Sequence, residues 1–303
     1  MRKNPFILLS ALLWASVSCQ HKPEVRDEFA IEDPITTYSI IKSDSGSGID
    51  VVSKTGNNPL KVRESIRTYQ LPEQSFSARR DKFYSLLQQL KQQTTQGEGI
   101  RYEEVDSLNY LAIHYLKHLL EDPKSLKYGL RHPMLRTLAS QDGRLKVYAW
   151  DENIAPGHQS YINVFQYRRA DDSLEVSFNE EIDNANELYF HTACMEKIHD
   201  VQYTDSAALY LMAFSGSQGS GHLYQGFGCI CLRNGHFDFS YPLFGRQANC
   251  LLQHYTENDI FRKSYAPRTK QLHLFYVNGK TAHSDTTDNT YGFDGAYFTP
   301  NAF

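Results

Sequence analysis

Beyond its first eighteen residues, this 303-residue chain has no apolar run long enough to cross a bilayer, no lysine or arginine cluster, and no constellation that specifies a reaction. The missing basic cluster argues against a nucleic-acid partner, because phosphate contacts dominate that kind of binding. Cysteine is scarce, and the one close pair, Cys229 and Cys231, lacks the second pair that a zinc site needs. His114 and His118 stand one helical turn apart, yet Tyr115 occupies the place where a zinc-protease helix carries its glutamate. Ser215 to His222 is small-residue-rich but reads as flanked by strands on both sides, which fits neither a nucleophile elbow nor a phosphate cradle. Asp285, Asp288, Asn289 and Asp294 offer hard oxygen ligands at a spacing that misses the EF-hand loop. No metal and no cofactor is therefore expected.

What is present begins with an export-like start. Arg2 and Lys3, an apolar core from Phe6 to Trp14, and a small-residue run ending at Cys19 predict a signal peptide over 1–18. In bacterial lipoprotein signals, which this start resembles, the cysteine after the small residues is lipidated; Ser16 stands where that family usually has leucine. Cys19 is thus the expected lipidation site, giving a lipid-anchored envelope protein with the membrane as a partner. Losing Arg2 and Lys3 with the leader removes two positive charges and takes the formal charge from −4 to −6. Residues 19–35 are charged and aperiodic and read as the tether. The four remaining cysteines, Cys194, Cys229, Cys231 and Cys250, permit disulfides in an exported chain, but most are expected as buried thiols.

Residues 36–124 form the hairpin and helical region. Thr36 to Ile41 and Ile49 to Val52 flank a Ser/Asp/Gly turn and predict a β-hairpin. Phe83, Leu86, Leu87 and Leu90 share one helix face, with Ser77 as candidate N-cap. A second helix, about Tyr102 to Leu120, places Val105, Leu108, Ala112, Tyr115, Leu116 and Leu119 on its stripe, and Pro123 closes it. The two helices are expected to pack as a hairpin.

Residues 125–303 read as strands built on a recurring pattern. Leu145-Lys-Val-Tyr-Ala-Trp returns as Leu209-Tyr-Leu-Met-Ala-Phe and as Leu272-His-Leu-Phe-Tyr-Val, at offsets of 64 and 63 residues. Leu174 to Phe178 matches Phe237 to Tyr241, Asn186 matches Asn249, and His191 matches His254, each at an offset of 63. The unit so traced has four strands and about two and a half copies. The expected fold is α+β: a helical hairpin plus a mainly antiparallel β region, propeller-like or stacked, with a threefold β barrel as the alternative. The N-terminal hairpin is a candidate to complete an unpaired sheet edge.

The segment Ser125-Leu126-Lys127-Tyr128, then Ser140-Gln-Asp142-Gly143-Arg-Leu145-Lys-Val-Tyr148-Ala-Trp150-Asp151, then Val164-Phe165-Gln166-Tyr167, resembles uncharacterised lipoproteins of Bacteroides-like bacteria. Those carry a Ser-x-Asp-Gly-x-Leu-x-x-Tyr-x-Trp-Asp strand. The resemblance covers about 45 residues, agrees with the lipoprotein-like start and implies no activity; Asn153 to His158 departs from the family's Gly-Gly-Thr turn.

Trp150, Tyr148 and Tyr167 are candidate stacking residues for a sugar or peptide, with Asp151 beside them, although strand aromatics more often serve the core. Asp151 and Glu152, and Glu180, Glu181 and Asp183, end strands and are the carboxylates available for acid/base work on a glycoside. The expectation is a non-catalytic binding or structural module for a protein or glycan ligand, with a secreted hydrolase as the alternative.

Overall fold

The computed structural model describes residues 36–42, 49–55, 74–95, 102–153, 160–178, 190–203, 207–217, 219, 221–245, 248–279 and 286–301. The expected signal peptide, Cys19 and the tether lie outside them. The chain divides into two units, residues 1–65 and 66–303.

In the first unit β1 (Thr36–Lys42) and β2 (Ile49–Thr55) pair antiparallel, with Thr36 opposite Thr55 and Lys42 opposite Ile49. The hairpin forms as its β-branched runs predict. The two strands make a two-stranded sheet of their own.

The second unit starts with α1 (Phe76–Thr95) and α2 (Tyr102–Glu121). Ser75, not Ser77, caps α1, its Oγ accepting from Ala78 N at 3.2 Å. The apolar faces of both helices are buried, including Phe83, Leu87, Leu90, Leu116 and Leu119. Arg79 pairs with Asp122 at 3.1 Å, and Gln93 donates to Glu104 at 3.0 Å, so opposite ends of the two helices meet as in an antiparallel hairpin. Pro123 does more than end α2. Its φ of −54° is already helical, and it opens a short α3 (Lys124–Lys127).

Three open antiparallel sheets follow, each containing a sequential four-stranded meander. Sheet I holds β3 (Arg136–Ala139), β4 (Leu145–Asp151), β5 (Tyr161–Arg168) and β6 (Leu174–Phe178). Sheet II holds β7 (Cys194–Tyr203), β8 (Ala207–Ser217), β9 (His222–Arg233) and β10 (His236–Asp238), with β11 (Cys250–Thr256) also on β9. Sheet III holds β12 (Ile260–Ala266), β13 (Gln271–Val277), β14 (Thr286–Phe293) and β15 (Phe298–Pro300). The fold is thus α+β and mostly antiparallel. Among the described residues no sheet closes on itself, which corrects the barrel alternative. Apolar faces are buried by stacking sheet on sheet, which leaves nothing to drive curling.

Side chains alternate across a strand, and the stacking uses both faces. Leu145, Val147, Phe165 and Tyr167 of sheet I pack against Tyr210, Met212, Phe214, Ile230 and Leu232 of sheet II. From the opposite face of sheet II, Leu209, Leu211, Phe227, Cys229 and Cys231 meet Leu272, Phe298 and Tyr265 of sheet III. Sheet II is therefore apolar on both sides, which is why Ala207 to Phe214 reads as one continuous hydrophobic run. The other face of sheet I meets the helices: Trp150 Nε1 donates to Asn109 Oδ1 at 2.9 Å, and Gln166 Nε2 to Leu120 O at 2.7 Å.

The three recurring leucines all sit buried in the second strand of their sheets. Leu145 and Leu209 face the sheet that follows, whereas Leu272 faces back toward sheet II. No further sheet is described beyond sheet III, so its apolar face turns inward. Sheet III has a fourth strand, β15, where the chain was expected to end after a third.

Candidate functional site

A cavity of about 520 Å³ opens where the chain leaves α3 and enters sheet I. Its wall is the turn Gly129 to Leu135, the outer strand β3, and Lys146 and Tyr148 of β4. The turn is fastened locally: Leu135 N donates to His132 O at 2.9 Å, and Met134 N donates to His132 Nδ1 at 3.3 Å. Tyr84 of α1 holds it from the helical layer. Its ring stacks on His132 with centroids 5.1 Å apart, and its hydroxyl accepts from Arg131 N at 2.7 Å. On the sheet side, Ala139 lies opposite Lys146 and Thr137 opposite Tyr148.

The polar groups of this wall are cationic or neutral, and none is a carboxylate. Burial, and then the Arg168 guanidinium, pull the Lys146 ammonium below its ordinary pKa. Burial, and then Lys91, lower His132 in the same way, so its ring is neutral near pH 7. Because Nδ1 accepts a hydrogen bond, Nε2 carries the proton of that neutral ring. Burial and the neighbouring Tyr84 push the Tyr148 hydroxyl up, and it donates to Gln166 Oε1 at 3.3 Å. Leu130, Leu135 and Leu138 supply apolar wall. The arrangement offers hydrogen-bond donors and positive charge beside a greasy surface. It has no nucleophile–base pair.

A second cavity, about 360 Å³, is lined by Asp142, Arg144, Asp200, Gln202 and Tyr210. Both its carboxylates are engaged in holding backbone. Asp142 Oδ1 accepts from Arg144 N at 2.9 Å, and Asp200 accepts from Gln141 N at 3.1 Å and Asp142 N at 2.9 Å. Tyr210, its hydroxyl pKa raised first by burial and then by Asp142, closes the set.

The residues singled out in the sequence fall mostly elsewhere. Trp150 is 1 % exposed and Tyr148 2 %, so neither presents an open face for stacking; Tyr167 is buried as well. Their bulk fills the interior, where a Trp-sized side chain contributes roughly 5 kcal/mol of burial. Only Tyr148 also lines a cavity. Asp151 is half-buried at the end of β4 and accepts from Asn153 N at 2.8 Å, a turn-capping bond. Glu180, Glu181, Asp183, Asn186 and Asp285 lie outside the described residues. His118 pairs with Glu121 at 3.3 Å, while His114 lies against the Tyr110 ring. No group of three metal-ligating side chains exists among the described residues. Asp288 sits in β14 beside His273, and Asp294 caps the turn to Tyr297. The Ser215 to His222 stretch joins β8 to β9 as a hairpin, as expected. Cys194, Cys229, Cys231 and Cys250 are buried and form no disulfide. Cys194 and Cys250 begin strands.

Sequence reasoning missed Arg131, His132 and Lys146. One signal was available for Lys146: it shares a strand face with Tyr148 and Trp150, an odd neighbour for two core aromatics. Nothing in the His132-Pro133 turn distinguishes it from an ordinary loop. Compared with protein-family models, curated proteins and solved structures, the chain matches none.

Proposed function

We propose that this chain is a cell-envelope lipoprotein, anchored through Cys19, that acts as a non-catalytic binding module with the cavity beside Tyr148 as its ligand site. The observation that carries this reading is the cavity itself. Its volume of about 520 Å³ is in the range of small-molecule sites, and it joins an apolar wall to a few polar donors on a helix-backed sheet. The carboxylates at Asp142, Asp151 and Asp200 are committed to turn hydrogen bonds, which supports binding over hydrolysis. The leader pattern and the resemblance of residues 140–151 to envelope lipoproteins support the anchor.

The reading includes a four-stranded module in about two and a half copies, propeller-like or stacked. Three successive meanders with the recurring strand second in each support it, and the opposite facing of Leu272 is the point where the last copy departs.

Two measurements test the function. Palmitate labelling should appear on the full chain and vanish in Cys19→Ser; an unlabelled wild-type protein would remove the anchor. For the cavity, ligand-observed NMR with neutral and acidic oligosaccharides and short peptides should find binders that are lost in Ala139→Trp. Ala139 is an exposed residue of the cavity wall, so the indole blocks the space without disturbing the core. Binding that survives Ala139→Trp places the ligand elsewhere.

A further inference from the structure

We infer that the cavity bounded by Arg131, His132 and Lys146 is selective for a small organic anion, a ring-sized apolar body carrying one carboxylate or phosphate group. The inference rests on reading that cavity as the ligand site and adds the ligand's charge and shape.

Lys146 is half-buried in β4, and no described residue forms an ion pair with it. A desolvated, unpaired ammonium is unfavourable, and an anion brought beside it offsets that cost. The charge that acts on it is another cation, Arg168, which is itself paired at 3.9 Å with the exposed Asp172, so no carboxylate faces Lys146 directly. The Arg131 side chain likewise has no described partner; only its backbone N–H is bound, to Tyr84. A guanidinium presents a planar fork of donors that matches a carboxylate or phosphate. His132 adds a neutral Nε2–H, a third donor without added charge. With no acidic lining residue, the cavity repels no anion and gives a cationic ligand no partner.

The apolar side of the wall sets the body of the ligand. Leu138 is half-buried and Pro133 and Ala139 are exposed, so these three offer the apolar surface, with the buried Leu130 and Leu135 behind them. Bare inorganic phosphate would leave that wall wet. A ring-bearing anion covers it and gains hydrophobic burial in addition to the charge contacts.

Calorimetry on the full chain, with benzoate, phenyl phosphate, benzyl alcohol and inorganic phosphate as probes, tests the inference. At least one aromatic anion should bind tenfold or more tightly than benzyl alcohol and than inorganic phosphate. Phenyl phosphate ahead of benzoate identifies a phosphate ligand, and the reverse order a carboxylate. Lys146→Met and Arg131→Met should each weaken the preferred anion tenfold or more, as loss of a charge-assisted hydrogen bond does. Raising the salt should weaken it too. Lys146→Met removes a desolvated charge, so its thermal midpoint should match or exceed wild type, separating lost binding from lost fold. The inference is overturned if benzyl alcohol or inorganic phosphate binds as tightly as the aromatic anions, or if both methionine variants keep wild-type affinity. Should neutral sugars still bind in an Ala139→Trp-sensitive way, the ligand site stands and only its anion selectivity falls. Should nothing bind in either experiment, both fall.

Discussion

The Tyr210 hydroxyl donates to Asp142 Oδ2 at 2.7 Å, tying the middle of sheet II to the β3–β4 turn of sheet I. The same carboxylate, through Oδ1, accepts from the Ser140 hydroxyl and from Arg144 N. One aspartate therefore shapes the turn and clamps it to the next layer. Tyr210→Phe keeps the ring packing and removes the clamp, at a cost of about 2 kcal/mol for a lost hydrogen bond to a charged acceptor. In urea titrations, Asp142→Asn combined with Tyr210→Phe should cost less than the two single changes added together. Strict additivity would mean that the two side chains do not interact in solution.

That turn also shows why parts of this fold are legible in the sequence and parts are not. Ser140, Asp142 and Gly143 are readable because turn chemistry is local. Ser140 Oγ accepts from Leu145 N at 3.0 Å, and Gly143 adopts φ +67°, a conformation that favours glycine. The helix stripes at Leu87 and Leu116 are equally local, set by a period of 3.6. The strands at Leu145, Leu209 and Leu272 followed from their short apolar runs. Facing did not, because β8 is apolar on both sides and its alternation vanishes, so the inward turn of Leu272 left no trace. The cavity was invisible for another reason. Tyr84, His132 and Lys146 are brought together only by packing, and sequence separation carries no sign of it.

Trp150 and Asn109 form a second joint, between β4 and α2. Asn109 accepts from Trp150 Nε1 at 2.9 Å and donates to Glu152 O at 2.9 Å. Asn109→Ala deletes both bonds inside a buried site and should cost about 3 kcal/mol. In a chain starting at Cys19, Trp150 is the only tryptophan. Native emission should therefore be blue-shifted, move red in one step on unfolding, and show the lower urea midpoint of the variant directly. Red-shifted native emission would contradict burial of the indole.

Acid should destabilise the second unit through His191. Burial holds its folded pKa at about 4, against an ordinary 6.5, and its Nδ1 has no hydrogen-bond partner. Between those values the unfolded chain binds a proton that the folded chain refuses, so stability rises with pH across this window. The contribution is fully present above pH 6.5, is lost as pH falls toward 4, and amounts to about 3 kcal/mol. His199, also held at about 4 by burial and then Lys197, acts in the same direction. Urea midpoints from pH 4 to pH 7 should climb, and His191→Gln should flatten the climb. An unchanged slope in that variant would exclude His191 as its source.

Gly228 lies in the centre of β9, opposite Met212 on one side and Cys250 on the other. A Cβ placed there would stand 2.2 Å from the Phe190 ring, far inside contact distance. Phe190 is fully buried and wedged against Phe214 at 5.4 Å between centroids, so it has little room to withdraw. Gly228→Ala should therefore destabilise by about 1 to 3 kcal/mol through overpacking, although alanine is otherwise the better strand residue. Phe190→Leu alone should cost a cavity, yet in the Gly228→Ala background it should recover part of the loss, because the smaller side chain vacates the space the new methyl needs. Thermal midpoints of the four proteins decide it. If Gly228→Ala is neutral, or if Phe190→Leu only adds to its cost, the close approach of ring and strand is not what holds this part of the sheet stack together.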